Sequence, residues 1–287
     1  MDLGDIHFSH VRTNGIRVHL AQAGPDGGPL LFLLHGFPEC WYAWRRQIGA
    51  FAAAGFRVVA PDLRGYGASE KPGDASDYGL DLVASDILRI AHALRPGPFR
   101  VVGHDWGATL GWWLATYNRE RVERLVALNA PHPSIWYEAM TRDAAQRRKS
   151  WYVRFFRLPW LPERVLARRD FHALREGFRD VVREDAFTPR DLELYRIAWS
   201  QPGALRGMLN WYRALMDQPP PAPEGLRVAP PTLVVWGKRD RYAGPELAER
   251  SLRLCDDGRI AWLEDATHWV QHDAPEEVNH LCLEFLR

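Results

Sequence analysis

Short, unbroken apolar runs alternate along this chain with segments whose apolar residues recur every three or four positions. The apolar runs are 30–34, 56–60, 99–102, 125–128, 232–236 and 259–263. Runs of this length are typical of strands buried on both faces of a parallel sheet. The helical patterns are 41–54, 80–94, 108–117, 245–254 and 275–286. Strands that alternate with helices predict an α/β fold, with a mostly parallel central sheet flanked by helices.

Two segments depart from this alternation. Residues 6–23 form two β-rich stretches around Asn14-Gly15, a dipeptide that favours a tight hairpin turn. Residues 131–223 are helical, aromatic and rich in arginine, and they end in a proline-rich stretch before the sheet resumes. We therefore expect a core formed by 1–130 and 224–287, interrupted by an inserted helical lid (cap) at 131–223.

Composition excludes several classes of function. The 287 residues carry a net charge of only +1, which gives no long-range attraction for nucleic acid or for a membrane surface. The longest apolar run, 30–34, is far shorter than the ~20 residues of a membrane-spanning helix, and the N-terminus lacks an apolar leader segment. Three scattered cysteines, Cys40, Cys255 and Cys282, fit a reducing compartment. We expect a soluble, cytoplasmic protein, a monomer or homodimer, without nucleic-acid or membrane partners.

The sequence Gly103-His104-Asp105-Trp106-Gly107 lies between a predicted strand and a predicted helix. Flanking glycines let the backbone turn sharply, so that the central side chain is raised above the carboxyl edge of the sheet, as in a nucleophile elbow. A carboxylate in this position is suited to attack an sp³ carbon and form an alkyl ester. The alternative is that Asp105 only caps the helix.

Two further side chains follow the last two predicted strands. Asp240 comes just after 232–236, and His268 comes just after 259–263. The carboxyl ends of neighbouring parallel strands meet at one edge, where α/β sheets place their ligands. The order Asp105, Asp240, His268 is that of nucleophile, acid and base in α/β-hydrolases. His268 and His272 could also suggest a metal pair, but no third ligand follows a zinc-like spacing, and neither a metal nor a cofactor is expected.

Taken together, these motifs resemble the soluble epoxide hydrolase family, the branch of the α/β-hydrolases with a catalytic aspartate. The resemblance covers nearly the whole chain and includes His35-Gly36-Phe37-Pro38-Glu39, residues 62–69, His268-Trp269 and residues 273–279. It implies an α/β-hydrolase fold. Some relatives carry the acid after the strand that ends near Leu128, where this chain has Asn129, so Asp240 is the better candidate.

The resemblance also implies roles for lid and loop residues. Two lid tyrosines of the family bind the epoxide oxygen and protonate it, and Tyr152 and Tyr212 match them. The amides of Phe37 and Trp106 would form the oxyanion hole. Residues expected to line the substrate pocket are His35, Pro38, Trp106, Trp151, Trp211 and Trp269.

The implied activity is hydrolysis of an apolar or aromatic epoxide to a vicinal diol, through an alkyl ester on Asp105. The first alternative is a haloalkane or haloacetate dehalogenase with the same triad. Fluoroacetate dehalogenases are expected to carry arginines just after the nucleophile, where this chain has Trp106 and Thr109, and haloalkane dehalogenases lack the paired lid tyrosines. The second alternative is a small-molecule receptor on a hydrolase scaffold, which need not retain every catalytic group.

Overall fold

The computed structural model describes residues 5–287, and its centre is one eight-stranded sheet. The strands are β1 His7–Thr13, β2 Ile16–Ala23, β3 Leu30–Leu34, β4 Arg57–Pro61, β5 Phe99–His104, β6 Val122–Leu128, β7 Thr232–Gly237 and β8 Gly258–Leu263. Their order is β1-β2-β4-β3-β5-β6-β7-β8. β1 and β2 form the expected antiparallel hairpin. The other six strands, β3 to β8, are all parallel to one another. The mostly parallel sheet and the opening hairpin are confirmed.

Twelve α-helices are seen within residues 5–287. They are α1 Ile48–Ala53, α2 Leu80–Leu94, α3 Trp106–Tyr117, α4 Pro133–Arg142, α5 Ala144–Lys149, α6 Trp151–Phe156, α7 Leu161–Glu176, α8 Pro189–Trp199, α9 Ala204–Asp217, α10 Glu246–Leu252, α11 Val270–Asp273 and α12 Pro275–Leu286. The prediction of a single helix over 41–54 is wrong. A short 3₁₀ helix, Trp41–Trp44, precedes α1, because Trp41 N–H donates to Asp62 and the Gln47 side chain donates to the carbonyl of Gln271.

The helical insertion lies between β6 and β7 and comprises α4 to α9. Helix α7 is interrupted at Arg168–Phe171, where Arg169, Asp170 and Phe171 have φ of 49°, 54° and 59°. These values lie in the left-handed region, so α7 consists of two helical pieces joined by a kink. The exact domain limits at 130 and 223 remain a prediction.

Both faces of the sheet are covered, which explains the unbroken apolar runs. In β3, Leu30, Phe32 and Leu34 pack into one hydrophobic cluster, whereas Leu31 and Leu33 pack into the other. Alternate side chains of a strand point to opposite faces. A strand covered on both sides therefore needs apolar residues at every position. None of the helices in residues 5–287 has the length and apolar character to cross a bilayer.

Candidate active site

A strained turn joins β5 to α3 and carries Asp105. Asp105 has φ 51° and ψ −119°, a conformation that non-glycine residues rarely adopt. The turn is also tightly packed. A Cβ on Gly103 would lie 2.4 Å from the carbonyl oxygen of Gly107, and one on Gly107 would lie 1.9 Å from that of Leu34. Only glycine allows this close approach, so the flanking glycines hold Asp105 at the carboxyl edge of the sheet.

The Asp105 carboxylate is bound on one side and open on the other. Its Oδ1 accepts a hydrogen bond of 2.7 Å from the backbone N–H of Phe37, on the loop after β3. Its Oδ2 lies 3.7 Å from His268 Nε2. The amide of Trp106 is at the first position of α3, where the helix itself supplies no acceptor. The Phe37 amide therefore binds Oδ1 of Asp105, and Oδ2 faces the imidazole of His268.

Asp240 and His268 are joined as the spacing predicted. His268 Nδ1 donates to Asp240 Oδ2 over 2.8 Å. Asp240 also accepts from the side chain of Asn129 (2.8 Å) and from the backbone N–H groups of Tyr242 (2.6 Å) and Ala243 (3.0 Å). Burial alone would raise the pKa of Asp240, but the charge of His268 and these hydrogen bonds lower it below its usual value. Asp240 is therefore an anion that fixes the orientation of the His268 ring.

Two carboxylates control the charge of His268. Burial alone would lower its pKa, but Asp240 and Asp105 outweigh burial and raise the pKa to about 10. The imidazole of His268 is consequently protonated at neutral pH. Loss of the negative charge on Asp105 removes part of this stabilisation and makes His268 a stronger proton donor.

Tyr152 on α6 and Tyr212 on α9 face the same space as Asp105. Their rings pack edge to face with centroids 5.9 Å apart, and Tyr212 also contacts the rings of Phe37 and Trp106. Burial, followed by the charge of Asp105, raises the pKa of each phenol well above its usual value. Both phenols therefore stay protonated and can donate hydrogen bonds.

Two cavities meet at Asp105, Tyr152, Tyr212 and His268. The larger measures about 300 Å³ and is bounded mainly by apolar side chains of α6 and α7. The smaller measures about 40 Å³ and is bounded by Pro131, Pro133, Trp136 and Leu215 among others. The site therefore offers space for one sizeable apolar group on one side of Asp105 and for only a small group on the other.

The residues predicted to line the pocket fall into two groups. Pro38, Trp151 and Trp269 border the larger cavity, and Trp106 borders the smaller. His35 and Trp211 were expected there, but neither side chain borders either cavity. His35 Nε2 instead accepts from the Leu63 N–H over 3.0 Å, and Trp211 Nε1 donates to the Arg64 carbonyl over 2.9 Å. These hydrogen bonds turn both side chains toward the loop after β4.

Tyr242 borders both cavities and was missed in the sequence. Its ring lies 5.0 Å from that of His268 and 6.0 Å from that of Tyr152, measured between centroids. Burial, then the charge of Asp180, raises its pKa. The only local signal was its position two residues after Asp240, which allows its backbone N–H to bind the Asp240 carboxylate.

A buried polar network behind His268 was also missed. His104 Nε2 donates to the His268 carbonyl (2.9 Å), and His104 Nδ1 accepts from Gln271 (3.1 Å). Gln271 and His272 Nε2 in turn donate to Glu39, the latter over 2.7 Å. Burial lowers the pKa of His272 to about 4, so this ring is neutral at pH 7. His268 and His272 thus bind different carboxylates and do not converge on a shared metal position.

Comparison with known proteins agrees with this fold. Residues 29–275 match the family described as alpha/beta hydrolase fold. AB hydrolase superfamily protein YfhM of Bacillus subtilis is 40% identical over 96% of this chain and 96% of its own length. Epoxide hydrolase 4 of Homo sapiens is 38% identical over 99% of this chain and 80% of its own length. Several further relatives are likewise named epoxide hydrolases.

Solved structures of epoxide hydrolases also match this chain over nearly its full length. An epoxide hydrolase from Bacillus megaterium, crystallised in complex with an inhibitor, is 31% identical and superimposes with a TM-score of 0.88 over 97% of this chain and 99% of its own. A variant of that enzyme was crystallised with its product, a naphthyloxy-propanediol. The fold, the insertion between β6 and β7 and these full-length matches lead to one assignment: this chain belongs to the alpha/beta hydrolase fold family.

Proposed function

We propose that the protein hydrolyses an apolar or aromatic epoxide to a vicinal diol. The observation that carries this proposal is the placement of Tyr152 and Tyr212, two protonated phenols, around the same space as the Asp105 carboxylate. An epoxide is neutral and strained, so a nucleophile and two hydrogen-bond donors to its oxygen supply what ring opening requires. The naphthyloxy-propanediol bound by the structural relative supports the same substrate class.

The first half-reaction forms an ester on Asp105. Oδ1 is held by the Phe37 amide, so Oδ2 is the attacking oxygen. Oδ2 forms a bond to one ring carbon while the carbon–oxygen bond of the epoxide breaks. Tyr152 and Tyr212 donate to the developing alkoxide, and one of them transfers its proton. The resulting phenolate regains a proton from the His268 imidazolium, whose pKa falls once Asp105 has lost its charge.

The second half-reaction hydrolyses the ester. Neutral His268, oriented by Asp240, removes a proton from water through Nε2 as that water attacks Cγ of Asp105. The Phe37 amide and, by its position at the start of α3, the Trp106 amide stabilise the negative charge on Oδ1. Collapse of this intermediate breaks the bond between Cγ and the ester oxygen, and the departing alkoxide takes the remaining proton of the water-derived hydroxyl on Cγ. The diol is released, and the Asp105 carboxylate is restored beside the charged imidazole of His268.

The test measures diol formation from styrene oxide in parallel with halide release from a chloroalkane and from fluoroacetate. We expect diol without halide, and we expect Asp105→Asn, checked by intact mass for absence of deamidation, to form neither diol nor covalent adduct. Halide release without diol would replace the proposal with a dehalogenase. Absence of turnover on all three substrates, with no adduct on Asp105, would favour a receptor on a hydrolase scaffold.

A further inference from the structure

Exposed apolar side chains are concentrated at one place on the lid. Trp151 is 66% exposed, Trp160 63%, Leu158 44% and Leu161 39%. They lie within eleven consecutive positions, 151–161, on α6, the connecting segment 157–160 and the first residue of α7. We call this group the lid patch. Large exposed apolar patches on a protein surface often mark sites of contact with another protein or with a membrane.

The lid patch continues the wall of the larger cavity. Phe155 and Val165 border that cavity from α6 and α7. Trp151 lies four residues before Phe155, and Leu161 lies four residues before Val165. Residues four apart on a helix share a face, so each exposed side chain extends an apolar cavity wall by one helical turn. Trp151 itself both borders the cavity and is exposed, which places the patch at the opening of the cavity.

The same part of the lid is strongly basic. Residues 142–169 contain nine Arg or Lys and two Asp or Glu, a net charge of +7. Since the whole chain carries +1, the remainder carries −6. Within residues 5–287, no carboxylate lies within ion-pair distance of Arg148, Arg154, Arg168 or Arg169, all of which are exposed. The expectation that a membrane surface is a poor partner came from the averaged charge, which conceals this asymmetry.

We propose that the lid patch docks onto the surface of a bilayer that contains anionic phospholipid. Tryptophan and leucine insert at the level of the headgroups, and flanking arginines are attracted to the negative surface. A second copy of the chain is a poorer occupant, because a symmetric contact would bring two such basic segments together. The consequence for catalysis rests on the proposed function: an apolar epoxide dissolved in the bilayer reaches the larger cavity beside Trp151 without crossing water.

The test is co-sedimentation of the whole protein with vesicles of phosphatidylcholine alone and of phosphatidylcholine mixed with phosphatidylglycerol. The patch variant combines Trp160→Asn, Arg148→Gln and Arg154→Gln. Asn tolerates the left-handed backbone of Trp160, whose φ is 50°. We expect binding to the mixed vesicles that weakens with salt, and a loss of roughly 30-fold or more in the patch variant, since each basic residue contributes about a fivefold factor.

A matched control variant removes the same charge and one exposed apolar side chain elsewhere. It combines Ile197→Asn, Arg89→Gln and Arg119→Gln, all at exposed positions. We expect it to bind mixed vesicles as the unmodified protein does. Neither variant alters a residue of the active site, so hydrolysis of a water-soluble epoxide, or circular dichroism if the protein hydrolyses none, reports that both are folded.

Three outcomes would overturn the proposal. The first is no binding to mixed vesicles at low salt. The second is equal loss of binding in the patch and control variants, which would show a general effect of charge. The third is a dimer, seen by analytical ultracentrifugation, that the patch variant disrupts while vesicle binding is absent. That last result would assign the patch to a second copy of the chain.

Discussion

Replacing Asp105 by Asn should lower the pKa of His268 by an amount that follows from the site geometry. His268 Nε2 lies 3.7 Å from Asp105 Oδ2, so with an effective dielectric constant of about 20 the interaction between unit charges is about 4.5 kcal/mol. At about 1.36 kcal/mol for each pKa unit, this corresponds to a pKa change of about 3. The Asp105 side chain is 24% exposed, so solvent screens part of the interaction and we expect a decrease of about 2 to 3.

The assay is a pH titration of the His268 ring by NMR. The pKa should fall from about 10 in the unmodified protein to roughly 7 to 8 in Asp105→Asn. Asp257→Asn is the matched control, because this exposed residue precedes β8 at the end opposite His268. An unchanged pKa in Asp105→Asn would refute the reasoning, because esterification of Asp105 could then not turn His268 from an acid into a base.

The same titration has a consequence for stability. The folded state raises the pKa of His268 above that of an unfolded histidine, about 6.5. The imidazolium therefore contributes stability that is fully present below pH 6.5 and is lost as the pH rises toward 10. Urea denaturation between these limits should show a fall in the free energy of unfolding, and the fall should be smaller in Asp105→Asn.

Other substitutions should separate the two half-reactions and test the core. Asp240→Asn should still form the alkyl ester but slow its hydrolysis by about 10²-fold or more, so that the adduct accumulates in intact-mass spectra. Tyr152→Phe or Tyr212→Phe should each slow ester formation by about 10²-fold in single-turnover experiments, because one donor to the alkoxide is lost. Arg64→Met should reduce the free energy of unfolding in urea by about 3 to 5 kcal/mol, because it leaves the buried Asp86 carboxylate without its bidentate partner (2.7 and 2.9 Å).

Matched controls decide how these results are interpreted. Tyr242 borders the same cavities, so Tyr242→Phe is the control for the two lid tyrosines. It should slow ester formation by less than Tyr152→Phe or Tyr212→Phe does. An equal loss of rate would mean that the lid tyrosines act by packing and not by donating a proton. Arg239→Met removes an exposed ion pair with Asp265 and should cost less than about 1 kcal/mol. If Asp240→Asn accumulates no adduct, ester hydrolysis is not the step that Asp240 supports.

The elements with strong local signals were predictable from the sequence. Helices α2 and α12 have the predicted bounds, and β3 coincides with its apolar run. The turn at Asp105 was predictable for the same reason, since a glycine on each side of one residue between a strand and a helix permits few other conformations. The positions of Asp240 and His268 followed from one further rule, that neighbouring parallel strands end at the same edge.

The errors arose where contacts between distant segments decide the structure. The helix predicted over 41–54 is divided because its backbone and side chains bind Asp62 and Gln271, which periodicity cannot reveal. His35 and Trp211 sit in motifs that suggested pocket residues, yet hydrogen bonds to the loop after β4 turn them away. Each of these outcomes depends on which partner is within reach of the side chain.

The sequence by itself therefore determined the alternation of strands and helices along the core, the sharp turn at Asp105 and the edge of the sheet where the site lies, because these depend on burial pattern and local sterics. Only the tertiary structure decided which lid side chains face Asp105, that Asn129 and Tyr242 support Asp240, and that Trp151 and Trp160 of the basic lid segment are exposed. These features join residues from 2 to more than 100 positions apart. Their contacts are set by packing, which no single stretch of sequence records.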